Sequence, residues 1–202
     1  MSDTEKFKNI YERIDKNETL PYPKNQLFIR YVGDINKWPM IRNNARSGII
    51  VYTYINDNLF FVLGVDNESK ALTDFGGGIK KTENFIRGGL REFYEESLEI
   101  FGKIDEKIIN DSLAIFTCEM CIIFIKMSFD FGEIKDIFMK ELKNLKDDNK
   151  PIEVSDIKLI SKENFYNLIN KGNNDEIYHR VTNLLSKAKK KFGDFTLLFI
   201  NL

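Results

Sequence analysis

Two runs of β-branched and aromatic residues, SGIIVYTYI (47–55) and LFFVLGVD (59–66), are separated only by Asn56-Asp57-Asn58, which reads as an antiparallel hairpin. Further strands are expected from LAIFTCEMCIIFIKMSF (113–129), as one long strand or two shorter ones, from EVSDIKLIS (153–161) and from the closing FTLLFINL (195–202). Helical periodicity runs through 84–99. GEIKDIFMKELKNLK (132–146) places Ile134, Ile137, Phe138, Leu142 and Leu145 on one helix face, KENFYNLIN (162–170) reads as a short helix, and 175–191 as a longer one ending in KAKKK. Strands and helices mixed without regular βαβ alternation favour an α+β (α/β) sandwich built on a mixed sheet.

A chain of 202 residues supports one domain with a substantial core. Its 43% hydrophobic and 13% aromatic content excludes a disordered chain, and the net charge of -1 names no partner. Residues 1–45 are polar and punctuated by Pro21, Pro23 and Pro39, and are expected to form a flanking arm before a domain spanning 46–202. The N-terminus lacks a secretory apolar core, and runs such as CIIFI (121–125) are far shorter than the roughly 20 residues of a membrane helix. A cytoplasmic protein with no membrane partner is expected. A zinc site wants four ligands, and beside Cys118 and Cys121 the chain offers no second pair and only His179, so both cysteines are expected to be small core residues and His179 a surface one.

Residues 84–99, placed on a helical wheel, bring Glu92, Glu95, Glu96 and Glu99 onto one face, at about 0°, 300°, 40° and 340°. Ile86, Leu90, Phe93 and Tyr94 fall on the opposite, core-facing side. Each like-charge pair at this spacing destabilises a helix by about 0.2–0.5 kcal/mol. A solvated acidic face is one explanation, and a hard divalent cation, which takes oxygen ligands, is the other. Gly76, Gly77 and Gly78 precede the helix and read as a turn that bends the backbone towards it; they fit neither nucleotide-loop pattern, G-x-x-x-x-G-K-[ST] or G-x-G-x-x-G.

Gly77, Glu83, Arg91, Glu92, Phe93, Glu95 and Glu96 stand at the spacing G-x5-E-x7-R-E-U-x-E-E, with U an apolar residue. In this the chain resembles the Nudix hydrolase family, whose signature continues x-G-U; here Leu98 and Glu99 replace the last two positions. The helix is therefore expected to run past its usual end, with Gly102 as a candidate terminator. The resemblance implies a Nudix-type α/β/α sandwich and hydrolysis of a pyrophosphate linkage in a nucleoside diphosphate derivative, with Mg²⁺ or Mn²⁺. It implies metal ligation by Glu92, Glu95 and Glu96 with a backbone carbonyl of Gly76 or Gly77, and a structural pair of Glu83 and Arg91. Glu95 is thereby also catalytic. The general base is expected outside the motif. PIEVSDIKLIS resembles a segment of RNA-decapping members, which would make Glu153 the base, and Glu119 is the other candidate.

Arg180, Lys187 and Lys191 at i, i+7 and i+11, with Lys190 adjacent, form a stripe that suits a phosphate backbone or, equally, a solvated helix face. Similar basic helices accompany messenger RNA decapping enzymes, and DFGGGIKK and LREFYEES resemble Nudix proteins of large DNA viruses. Capped RNA is thus the favoured substrate class. Free nucleotides, nucleotide sugars or diphosphoinositol polyphosphates are the alternative, and a non-cleaving nucleotide- or RNA-binding module is a third reading.

Overall fold

The structure, a computed structural model, describes residues 26–40, 45–171 and 175–201. The hairpin expected from the two apolar runs forms as β2 (Arg46–Ile55) and β3 (Asn58–Asp66), paired antiparallel from Val51↔Val62 to Ile55↔Asn58. Asn56 and Asp57 close it with positive φ (49° and 61°), which these two residue types tolerate in a tight turn. Around it, β1 (Phe28–Tyr31), β4 (Leu72–Thr73), β5 (Phe75–Gly78), β6 (Leu113–Phe116), β7 (Met120–Lys126) and β8 (Val154–Ser161) complete an eight-stranded sheet. Its order is β1-β6-β7-β2-β3-β4, with β5 on β2 and β8 on β3. β2 and β7 are parallel while the other pairs are antiparallel, so the sheet is mixed.

Both faces of the sheet are covered. Along β2, Ile49 and Val51 join a core with Phe75, Phe85, Phe93 and Phe138, whereas Ile50 and Tyr52 join a core with Phe61, Phe165, Leu185 and Phe199. This alternation is the period-2 geometry of a strand buried on both sides. The first face is covered by α1 (Phe85–Glu96), α2 (Glu106–Asp111) and α3 (Phe131–Asp147), the second by α4 (Lys162–Asn170) and α5 (His179–Phe192). The result is the expected α+β sandwich, with helices on both sides of a mixed sheet. No helix among the described residues is long and apolar enough to cross a membrane.

Several local expectations are corrected. Of the stretch 1–45 read as a flanking arm, 1–25 and 41–44 lie outside the described residues, and 26–40 belongs to the body. There β1 pairs with β6, and Leu27, Ile29, Val32 and Trp38 are buried. The 113–129 segment takes the second of its two expected forms, strands β6 and β7, but the turn between them holds Cys118 and Glu119, so Cys121 is buried as expected and Cys118 only half so. Ile137 is 41% exposed rather than in the core, because Ile134, Phe138 and Leu142 already fill the buried stripe of α3. The closing segment is a 3₁₀ helix, Phe195–Asn201, rather than a strand. As a strand it would put Phe195, Leu197 and Phe199 on one face. Instead Phe195 and Phe199 are buried and Leu197 is 41% exposed, and Phe199 stacks on Tyr52 at 4.4 Å.

The helix carrying the glutamates is anchored at its start by Asn84. Its side-chain oxygen accepts from the Ile86 and Arg87 amides (3.1 and 3.0 Å), while Nδ2 donates to the carbonyls of Ile35 (2.8 Å) and Trp38 (3.3 Å). One buried amide thus caps α1 and ties it to the 26–40 segment. Asn84→Ala is expected to lower the unfolding free energy by about 2 kcal/mol, through loss of the cap and of two buried acceptors' partner. Urea denaturation of the two proteins side by side checks this.

Candidate active site

Gly76–Gly78 is strand rather than turn. β5 pairs with β2 in the register Arg46↔Gly78, Ser47↔Gly77, Gly48↔Gly76, and the described glycines with positive φ are Gly33, Gly102 and Gly193. Close approach, not turn geometry, is what demands glycine here. A β-carbon on Gly76 would lie 2.3 Å from the Gly48 Cα, and one on Gly77 would lie 2.6 Å from the Glu92 carboxyl carbon. The glutamate face of α1 therefore rests directly on the β5 backbone. Phe93 holds it there from the buried side, edge-on to Phe75 at 5.7 Å and stacked on Phe101 at 5.4 Å.

Arg91 joins the parts of the motif. Its guanidinium takes Glu83 in a fork (Nε to Oε1 2.8 Å, Nη2 to Oε2 3.1 Å) and donates to the Gly78 carbonyl (2.8 Å), Glu92 (2.6 Å) and Glu95 (3.2 Å). Hydrogen bonding to Arg91 holds the Glu83 carboxyl below the usual carboxylate range and raises the guanidinium in turn.

Glu92, Glu95, Glu96 and Glu153 line one cavity of about 200 Å³, walled on its apolar side by Leu98, Leu145, Ile152 and Val154. Glu153 reaches it from the residue before β8, where its carbonyl accepts from the Asn67 amide (2.7 Å). Glu95 and Glu153 are exposed, whereas Glu96 is half-buried. Its Oε2 accepts from the Gly76 amide at 2.6 Å, and its pKa is pushed up to about 9, first by burial and then by the nearby Asp74 and Glu153 charges. Glu119, the other candidate base, does not reach this cavity. It is exposed in the β6–β7 turn, because the strand expected to carry it stops at Phe116.

The helix also ends where the sequence suggested it would not. α1 closes at Glu96 with Ser97 as its cap, and the Glu99 amide donates to the Tyr94 carbonyl (3.1 Å), the long bond of a Schellman ending. That ending needs a left-handed residue after the cap, a position glycine ordinarily takes. Leu98 and Glu99 adopt it themselves (φ 55° and 56°), with Gly102 (φ 65°) closing the next turn. Leu98 offsets the strain by packing into the core and walling the cavity. Exposed Glu99 has no such return, so Glu99→Gly is expected to raise stability by up to about 1 kcal/mol in thermal unfolding.

Two residues that sequence reasoning missed complete the site. Arg46, buried at the start of β2, donates to Asp74 Oδ2 and to the Gly76 carbonyl, both at 2.6 Å, and Asp74 is fully buried. Their only signal was a charge flanking each apolar run, before SGIIVY and within LTDF. The Gly76 carbonyl, expected as a metal ligand, thus already accepts one hydrogen bond.

The basic residues divide. Arg180 and Lys187 line a separate cleft of about 680 Å³ beside Cys118, Glu119, His179 and Leu184, whereas Lys190 and Lys191 lie outside it, Lys191 donating to the Leu27 carbonyl (2.8 Å). His179 is exposed, as expected.

The donor set suits a hard divalent cation in kind, since the cavity offers carboxylate oxygens only. The carboxylates of Glu92 and Glu95 point at Arg91, so no three acidic, thiol or imidazole groups among the described residues converge as a closed ligand set in this conformation.

No family model and no curated protein matches the chain. Solved structures similar to it include an Ap4A hydrolase of C. elegans in a binary complex (14% identity, 76% of this chain and 100% of that one, TM-score 0.43). Two others are a mutT/nudix family protein of Listeria innocua (14%, 77% and 98%, TM-score 0.42) and the NUDIX domain of Shewanella oneidensis NrtR complexed with ADP ribose (13%, 75% and 90%, TM-score 0.41). None of these likenesses by itself assigns an activity to this chain.

In the metal-free protein, Glu96 keeps its proton in the folded state up to about pH 9 but loses it in the unfolded state near 4.5. The folded state binds more protons throughout that window, so this group's contribution to stability declines as pH rises from about 5 to about 9. The melting temperature of wild type is expected to fall relative to Glu96→Gln across the same interval, and a pair of pH-resolved melting curves measures it.

Proposed function

We propose that the protein is a metal-dependent Nudix pyrophosphohydrolase that cleaves a pyrophosphate linkage in a nucleoside diphosphate derivative. The observation that carries this is that Glu92, Glu95, Glu96 and Glu153, from two separate elements, line one cavity, with Glu96 bonded to the Gly76 amide of the glycine strand beside it. Mg²⁺ or Mn²⁺ would be held by Glu92, Glu95, Glu96 and the Gly76 carbonyl. When bound, such a cation neutralises pyrophosphate charge and makes water a better nucleophile at neutral pH.

The chain's own residues do the rest. Glu153 accepts the proton of the attacking water as its oxygen bonds to phosphorus, and the bridging phosphorus–oxygen bond breaks, leaving two phosphate-bearing products. Leu98, Leu145 and Ile152 limit bulk water at that point. Arg91 and Glu83 hold the acidic face against β5 without touching substrate.

Capped RNA is the substrate we favour. Arg180 and Lys187 stand in the second cleft, and Arg46 links the two regions, its amide donating to the Glu119 carbonyl (2.9 Å) while its side chain holds Gly76. A strand passing from the acidic cavity along α5 would meet cations there. Cap-labelled RNA and a panel of free nucleotides, nucleotide sugars and diphosphoinositol polyphosphates, each incubated with Mg²⁺ or Mn²⁺ and followed by product identification, separate the readings. Turnover of small nucleotides with none on capped RNA removes the decapping reading, and binding without any product supports the non-cleaving one. Glu96→Gln and Glu153→Gln are each expected to reduce kcat at least 100-fold with folding intact. Full activity in both would remove the site assignment.

A further inference from the structure

The register of β5 on β2 leaves the Gly76 N–H and C=O without partners in the ladder. The Gly48↔Gly76 pair is the close, non-hydrogen-bonded kind, since the Gly76 amide goes to Glu96 rather than across to β2. A residue in such a pair turns both its N–H and its C=O away from the partner strand. The ladder holds this stretch only through the neighbouring pairs at Phe75 and Gly77, and the bonding of the Gly76 N–H and C=O themselves is left to side chains.

A buried ion pair takes over that task. Arg46 Nη2 holds the Gly76 carbonyl, Nη1 holds Asp74 Oδ2, and the guanidinium lies over the Tyr178 ring at 5.3 Å. Asp74 is itself braced by the Thr73 hydroxyl (3.1 Å). Its carboxylate also fits against a residue with no side chain, as a β-carbon on Gly48 would lie 2.0 Å from Asp74 Oδ2. Isolated buried ion pairs contribute little to stability relative to apolar packing, so a pair built this tightly against two glycines calls for another role.

We propose that Arg46, anchored by Asp74 and Tyr178, is a positioning residue that fixes the Gly76 peptide, with its N–H bonded to Glu96 and its carbonyl oriented for the acidic cavity. The inference deepens the metal-site reading above and rests on it for its functional meaning. Only arginine serves, because both acceptors are taken at once by one planar fork; lysine keeps the charge but is a single point donor.

The test uses the full chain with Arg46→Lys, which retains the buried positive charge, and Asp74→Asn, which retains the shape that Gly48 accommodates. Amide hydrogen exchange at Gly76 is read against the Val51 and Ile123 amides of the same sheet, and Mn²⁺ affinity is read by electron paramagnetic resonance without substrate. Gly76 exchange at least 10-fold faster in either folded variant, with Val51 and Ile123 unchanged, is the expected result. Mn²⁺ affinity is expected to fall about 10-fold in parallel, the usual scale for losing a partner that orients a ligand. Wild-type exchange at Gly76 in a folded variant overturns the proposal. Failure of wild type itself to take up Mn²⁺ sinks the metal-site reading instead, and the exchange result then still decides what Arg46 does.

Discussion

The Arg91 guanidinium is the interaction around which the acidic face of α1 is arranged. Three carboxylates, of Glu92, Glu95 and Glu96, crowd the C-terminal end of a helix whose own dipole opposes them there. Arg91 engages Glu83, Glu92 and Glu95 and the Gly78 carbonyl together, so helix, preceding loop and glycine strand are locked into one unit. Glu96 is outside its reach. That carboxyl accepts from the Gly76 amide and lies within the field of Arg46, both of which favour its ionised form, but burial and the neighbouring Asp74 charge outweigh them and hold its proton far above the ordinary range.

Glycine works at this site through absence of bulk. The three consecutive glycines look like turn residues in a one-dimensional reading, yet they lie in an extended strand with α1 pressed onto one of them and β2 onto another. The converse holds at the helix end, where a left-handed residue really is required and the chain supplies leucine and glutamate. The backbone form of the ending persists without its glycine because the Schellman bond and the apolar anchorage of Leu98 outweigh about 1–2 kcal/mol of left-handed strain.

Much of the architecture was legible in the residues. The hairpin, the amphipathic α1, α3 and α4, and the mixed sandwich follow from hydrophobic period and turn chemistry, which act over a few residues. Ile137 and the closing 3₁₀ helix were misread because period alone does not say where a buried stripe ends. Phe195 and Phe199 are placed by the aromatic cluster of Tyr52, Phe61 and Phe124, all distant in sequence.

For the candidate site, the residues alone carry the carboxylate face of α1 opposite its core face, and the spacing of Gly77, Glu83 and Arg91 that lets one helix and its preceding loop meet. Those are local relations, set by 3.6 residues per turn. That Glu153 and not Glu119 reaches the cavity, and that Arg46 and Asp74 stand behind Gly76, emerges only once the strands are paired. These residues come together because strand register places the start of β2, the end of β4 and the entry to β8 around one end of the sheet, and register is a property of paired strands that no single stretch of sequence carries.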